Sequence, residues 1–370
     1  MLRAASFQPD WAAPPGRTMS EIMATKGMSP AALARHIGIS LSLVQGLIDG
    51  TAPIDQEIAH ALERTLGSTA EFWMRREQQY RSDLARRAAT KQAVSGRQLL
   101  SRLPVADMRR FGWIPDVADR EQLLRNCLQF FGTAQAEDWH HQYHDEISVA
   151  AFRTSQTYHA DPYAVAAWLR RAYLIGDHIE CRSWDAAALK RALPGMRAIS
   201  RIKEPARFLP PLVRLCATAG VALVIVQAPR GCRASGATRF LTSKKALVVL
   251  SFRHRSDDHF WFTFFHEIGH LLLHAHDALF IEDESGVTET EEAEANEFSA
   301  RVLIPTEHEA ELHQFSPSLK PIIAFARKIG VAPGVVVGQL QHRGLVRRDR
   351  LNGLKRRYVW DGGPIPRLIP

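Results

Sequence analysis

The sequence predicts a mainly α-helical protein with a small α+β core and an all-α, helix-turn-helix N-terminal domain. Three observations predict it. Apolar residues recur at helical spacing along most of the chain, with Ser or Asp before several runs and Gly after them. Two β-branched runs short enough for buried strands, Val221–Val226 and Ala246–Ser251, lie close together in the second half. Directly after them comes a strongly apolar stretch, Phe260 to Leu273, that carries the five residues His266-Glu267-Ile268-Gly269-His270.

Taken in order, residues 1–16 contain Pro9, Pro14, Pro15 and Gly16 and are expected to form a flexible arm. A run of short helices then spans 17–90. The first covers Arg17 to Lys26; the second opens on Ser29 as N-cap with Pro30 at its first position. Gly38-Ile39-Ser40 makes a turn, Leu41 to Ile48 forms the next helix, and Asp49-Gly50 stops it. Further helices follow over Asp55 to Thr65 and Thr69 to about Arg87.

Ala34 is small where two helices cross, Gly38 permits a left-handed turn, and Val44 reaches the core six residues later. That is a helix-turn-helix pattern. Its second helix would present Ser40, Leu41, Ser42 and Gln45 to base edges of double-stranded DNA. Few basic residues lie on that surface, so phosphate contacts fall to Arg17, Lys26, Arg35 or the basic helix after Arg75.

Residues 95–204 read as a helical connector or sensor module, with amphipathic helices over Glu121 to Phe131 and Tyr163 to Cys181 and a Gly132 stop. His140, His141 and His144 cluster there, but no carboxylate or cysteine motif accompanies them, and surface or packing roles are expected. Near Pro205–Pro211 the texture changes: a helix over Leu212–Ala219 precedes the two strands, and a weaker strand is expected at Ala237–Leu241.

The apolar run after the strands carries the chemistry. On a helix, residues four apart share a face, so His266 and His270 can aim at one metal ion, with Glu267 beside it as general base. Zinc is the expected cofactor, and metal-assisted peptide hydrolysis the expected reaction. A third protein ligand is required. In Glu291 to Pro305, Ala295, Phe298 and Val302 make the apolar stripe, while Glu292 and Asn296 share another, one turn apart. Glu292 is the expected ligand, with Glu294 as the alternative and Asn296 orienting a ligand. His254, His259 and Arg301 are candidates for an oxyanion contact.

After Pro305, Ala326-Arg327-Lys328-Ile329-Gly330-Val331 echoes Ala34-Arg35-His36-Ile37-Gly38-Ile39, so a second helix-turn-helix-like segment is expected at 320–342. Its second helix, with Val335-Val336-Val337, suits packing rather than phosphate. The segment 346–370 is basic, ends in a Pro/Gly-rich stretch, and is expected to be loosely held.

Composition narrows the classes. With 46% hydrophobic residues the 370-residue chain supports two or three cored domains. No apolar run approaches the roughly 18 residues of a membrane span, and no signal-like segment opens the chain, so a cytoplasmic protein without a membrane partner is expected. Cys127, Cys181, Cys216 and Cys232 are widely spaced, which argues against a disulfide framework and a thiolate zinc site. The net charge of +8 suits an anionic partner.

The phrases FWFTFFHEIGHLLLH (261–274 with Phe260) and EEAEANEFSARVLIP (291–305) resemble the paired signatures of the ImmA/IrrE metallopeptidases. In that family a glutamate four residues before Asn or Asp completes the zinc site, which implies Glu292. The family pattern usually has Phe-Ala where this chain has Phe298-Ser299. The resemblance implies a zincin-like core over 205–345 and a protein substrate, most simply a transcriptional repressor cut under stress or during mobile-element induction. Residues 17–87, with LGSTAEFWMRREQQY, resemble the Xre/HigA-type antitoxin domain, which implies operator binding as a homodimer; some relatives also neutralise a toxin. MRRFGWI and AAFRTS resemble stretches of fused antitoxin–peptidase proteins. The rival reading is a HigA-like repressor or antitoxin whose peptidase fold senses zinc or a partner without cutting.

Overall fold

The computed structural model describes residues 12–144, 160–274, 280–281, 290–312 and 318–369. The chain divides into two compact units near residue 97. The AAFRTS stretch and the acidic residues 282–289 lie outside the described residues, as do positions 1–11 of the expected arm.

The first unit packs α1 (Pro15–Thr25), α2 (Pro30–Ile37), α3 (Leu41–Asp49) and α4 (Gln56–Leu66) against the start of α5 (Ala70–Arg102). Met19, Leu33, Val44, Leu47, Leu62 and Trp73 fill its core. Local sequence sets the breaks. Ser29 Oγ accepts from Ala32 N at 3.2 Å and Ser40 Oγ from Leu43 N at 3.1 Å, capping α2 and α3. Between them Gly38 sits at φ 76°, and the two helices cross at 114°. Two boundaries differ from expectation. The helix expected from Arg17 starts at Pro15, because Gly16 lies against the Ile48 backbone with no space for a Cβ. The helix expected to end near Arg87 continues to Arg102, through Ala88, Ala89, Lys91, Gln92 and Ala93, which are mostly strong helix formers.

The second unit is organised on a four-stranded sheet of order β1-β3-β2-β4. β1 (Val221–Ile225) runs parallel to β3 (Lys245–Leu250); β2 (Gly236–Thr242) is antiparallel to β3, and β4 (Phe280–Ile281) is antiparallel to β2. Before the sheet come α6 (Val105–Arg110), α7 (Arg120–Phe131), α8 (Ala136–Trp139), a π-helical turn (His140–His144), α9 (Pro162–Asp177), α10 (Ala186–Ile199) and α11 (Pro205–Thr218). Expected only after Pro211, α11 runs through Pro210 and Pro211, its stripe of Phe208, Leu209, Leu212 and Cys216 being buried.

Alternation along the strands explains why the unit needs helices on both sides. Val221, Leu223, Ala246, Val248 and Leu250 join one core with α10, α11 and α12 (Asp257–Leu273). Ala222, Val224, Leu247 and Val249 join a second core with α7 and α9. Helices of the expected connector over 95–204 thus pack on the sheet: α9 covers one face, and Trp168 Nε1 donates to Val226 O at 2.9 Å. His140, in the expected surface cluster, meets the buried Trp139 ring edge-on, which is a packing role.

Beyond α12 lie α13 (Thr290–Leu303), α14 (Glu309–Leu312), α15 (Leu319–Ile329) and α16 (Pro333–His342). The last two cross at 108°, and Val335, Val336, Val337 and Leu340 are buried in the first core. The expected loose segment 346–370 is held instead. It forms a hairpin of β5 (Tyr358–Val359) and β6 (Arg367–Leu368), and Tyr358 is fully buried. Two of its cations are buried against partners: Lys355 Nζ lies 2.6 Å from Asp258, and the Arg356 guanidinium donates to the carbonyls of Ser200, Arg201 and Ile202 while facing Asp257. No helix among the described residues is long and apolar enough to cross a membrane.

Candidate metal centre

α12 is buried on nearly every side. Trp261, Phe264, Phe265 and Ile268 enter the first core, and Asp257 and Asp258 occupy the first turn, where the helix dipole favours negative charge. The sheet approaches closely at Gly236, the first residue of β2: an added Cβ would collide with the Glu267 side chain and stand 2.8 Å from Thr263 Cγ2. On the other side, Gly269 lets α13 pass, since a Cβ there would lie 3.3 Å from Ala295 Cα.

These approaches bring together the residues that the motif singles out. His266 and His270 are 1% and 2% exposed, and their Nε2 atoms lie 2.9 Å apart. Glu292, from the first turn of α13, places its carboxylate 3.2 Å from His266 Nε2 and 3.3 Å from His270 Nε2. The three ligand atoms form one group within 4.8 Å. Zinc fits this donor set: bonds of about 2.0–2.2 Å in a tetrahedron put neighbouring ligand atoms about 3.3–3.6 Å apart. Burial raises the Glu292 carboxyl, but hydrogen bonds and charge from both imidazoles outweigh it and take it down to about 2. Burial lowers the His270 pKa and favours the neutral ring that ligation needs.

The surrounding hydrogen bonds fix which nitrogen is free. Asn296 Oδ1 lies 3.0 Å from His266 Nδ1, so the ring donates there and leaves Nε2 as the ligand atom. Asn296 thus stands where the sequence places an orienting residue. His270 Nδ1 lies 2.9 Å from His274 Nδ1, and His274 Nε2 lies 3.2 Å from Glu294 Oε2. A ligating His270 must donate from Nδ1, so His274 accepts there and donates its own Nε2–H to Glu294. Glu294, the alternative ligand, is therefore spent on His274. Sequence reasoning missed His274 as part of the centre, although its spacing of four from His270 was a visible signal.

Glu267 is fully buried, and its Oε2 accepts from Thr238 Oγ1 on β2. Thr238 carried no sequence signal, because it approaches from a strand twenty-nine residues earlier. Ser299, standing where Ala is usual, donates from Oγ to Phe262 O at 2.8 Å, tying α13 to α12. The oxyanion candidates are engaged elsewhere: Arg301 pairs with Glu297 along α13, and the rings of His254 and His259 stack at 4.3 Å. Sheet pairing next to the centre is already taken up at Ala237 and Thr238, which pair with β4.

In the N-terminal unit, Arg35, Ser40, Leu41, Ser42 and Gln45 are all exposed around the start of α3, with Leu41 53% exposed. Ser40 Oγ is used as the cap and meets Ser42 Oγ at 2.9 Å, and Gln45 Nε2 reaches Asp49 at 3.1 Å. All four cysteines are free thiols, and burial pushes that of Cys127 up to about 11.

Residues 233–341 match the family described as IrrE N-terminal-like domain, Peptidase_M78. No curated protein matches the chain. Among solved structures, an addiction module antidote protein of a HigA family from Coxiella burnetii is 27% identical over 22% of this chain and 88% of its own, at a TM-score of 0.21. The matched stretch runs from just before β2, whose residues flank Glu267, to the last turn of α16, and it contains His266, His270 and Glu292.

Proposed function

We propose that the second unit is a zinc-dependent endopeptidase acting on a protein, such as a transcriptional repressor, and that the first unit brings it to double-stranded operator DNA. The observation that carries the enzymatic part is the convergence of His266 Nε2, His270 Nε2 and the Glu292 carboxylate within 4.8 Å, one residue from a fully buried Glu267. A zinc ion held by the three would polarise the scissile carbonyl and acidify the attacking water. Glu267 takes the proton from that water and hands it to the departing amine nitrogen. Thr238 holds the Glu267 carboxylate in place through Oε2. Asn296 and His274 hold the two imidazoles in the tautomer that presents Nε2.

For the first unit, the 114° crossing of α2 and α3 and the exposed Leu41, Ser42 and Gln45 support a helix offered to the major groove. A homodimer would match a two-fold operator. A cognate toxin is a further partner consistent with the antitoxin resemblance.

The test is elemental analysis of wild type, His266→Ala and Glu292→Ala, followed by a search for new protein N-termini in a lysate treated with wild type or Glu267→Gln. We expect about one zinc per chain in wild type, lost in both ligand variants, and new termini that require Glu267. No zinc after reconstitution, or the same termini with Glu267→Gln, would overturn the peptidase.

A further inference from the structure

A cavity of about 890 Å³ opens between the first half of α12, α16 and the segment 348–357. Phe262 and Thr263 line it, and each stands four residues before a residue of the metal centre, His266 or Glu267. The cavity therefore shares the working face of α12, about one helical turn of 5.4 Å further along. A peptide lying across the centre reaches it within two or three residues of the cleaved bond, at about 3.3 Å per extended residue.

Its lining is cationic. Arg233, Arg348, Lys355 and Arg357 contribute to the wall, and Asp258 is the one carboxylate among the lining residues. Asp258 is cancelled by Lys355 at 2.6 Å. Arg348 and Arg357 have no carboxylate partner among the described residues and are exposed. The wall is also rigid: Gln341 Nε2 donates to Arg350 O at 2.8 Å and to Asn352 Oδ1 at 3.1 Å, and its Oε1 accepts from Lys355 Nζ at 2.7 Å.

A second feature points to the ligand. Gln339 lines the cavity, is 3% exposed, and its Oε1 has no hydrogen-bond partner among the described residues. A buried acceptor left without a donor destabilises the fold, and a ligand N–H would relieve that cost. The occupant must therefore bring negative groups for the arginines and an N–H donor for Gln339. An acidic peptide brings both, whereas a phosphodiester backbone brings charge without the N–H.

We propose that this cavity is a specificity pocket that selects an acidic stretch of the protein substrate, with Arg348 and Arg357 meeting its carboxylates and Gln339 Oε1 accepting a main-chain N–H. The proposal rests on the peptidase reading for its role, but its binding chemistry can be measured without cleavage.

The experiment is fluorescence anisotropy of the full-length, zinc-loaded protein with three labelled octapeptides of alternating Ala with Glu, Gln or Lys. The Glu peptide is expected to bind at least tenfold more tightly than the Gln peptide, and the Lys peptide not at all. Arg348→Glu/Arg357→Glu should remove that preference, and the milder Arg348→Gln/Arg357→Gln should reduce it, each with wild-type zinc content and melting. Gln339→Leu should weaken the Glu and Gln peptides by the same factor. Lys190→Glu/Arg191→Glu, on exposed positions of α10, should leave the preference unchanged. Equal binding of the three peptides, persistence of the preference in the charge-reversed variant, or its loss in the α10 variant would overturn the pocket. If zinc and cleavage hold while the Glu peptide fails, the pocket alone is wrong; if the Arg-dependent preference holds without zinc or cleavage, the peptidase alone is wrong.

Discussion

Gly236→Ala separates the metal from the base. The Cβ would stand 2.8 Å from Glu267 Cγ and 2.8 Å from Thr263 Cγ2, and closer still to Glu267 Oε1. Carbon atoms rest about 3.5–4.0 Å apart, so β2 and the Glu267 side chain must separate by about 0.7–1.2 Å. Neither can do so freely, since Glu267 is fully buried and held by Thr238, and Gly236 pairs with Leu250. Overpacking of this kind costs about 1–3 kcal/mol, and a misplacement near 1 Å at a reacting group costs about 10²-fold in rate. The three atoms nearest the added methyl belong to Glu267 and Thr263, not to His266, His270 or Glu292. The variant should therefore keep one zinc per chain by elemental analysis while the appearance of new N-termini slows about 100-fold. Wild-type cleavage would refute the placement of Glu267; loss of zinc together with cleavage would show that the strand supports the ligands rather than the base.

Other outcomes follow from the same contacts. Asn296→Ala and His274→Ala each remove a partner of a ligating imidazole and should weaken zinc about 10–100-fold in competition with a chelator, while Glu294→Gln, one step further out, should do less. Burial, together with the Asp258 charge, raises the Asp257 carboxyl to about 7 against the pull of Arg356. The folded protein then keeps a proton that the unfolded chain loses above about pH 4, so this group costs stability as pH rises from about 4 to 7 and levels off above. Asp257→Asn should accordingly gain on wild type between pH 5 and pH 8 by on the order of 2 kcal/mol in urea melts, and a pH-independent difference would refute it. In the first unit, Ser42→Glu places an exposed negative charge at the start of α3 and should abolish operator binding without moving the melting temperature.

Much of the centre was legible because its spacing is local. His266 and His270, and Glu292 and Asn296, are each one helical turn apart, and a helix fixes what such pairs face. The helix-turn-helix was legible for the same reason, since Ser29, Gly38 and Ser40 write their caps and turn into neighbouring positions. What escaped depends on approaches between distant segments. Thr238 and Gly236 act on Glu267 from a strand whose register is set by β3, and nothing in their own neighbours announces it. Lys355 and Arg356 of the basic segment after Arg343 looked solvated because their charge was counted without Asp258 and Asp257, which they meet in the fold. Residues 95–204 looked independent because the second apolar face of the sheet, Ala222, Val224, Leu247 and Val249, is hidden inside runs that are apolar throughout.

One helix joins these parts through a single arithmetic. Asp258, Phe262, His266, His270 and His274 follow one another at intervals of four, and each interval of four residues turns about 40° past a full circle. The stripe therefore winds around α12 as it climbs. At its foot Asp258 faces Gly338 of α16 and Lys355 of the C-terminal segment; at its middle His266 and His270 face Glu292 of α13; at its top His274 meets Glu294. The cavity wall, the ligands and the partner that orients them thus occupy successive turns of one rigid element, while Trp261, Phe264, Phe265 and Ile268 anchor the opposite side in the core. A residue inserted between Phe262 and His266 would rotate the ligands by about 100° relative to the cavity, so zinc and pocket would no longer share a face even if the helix survived.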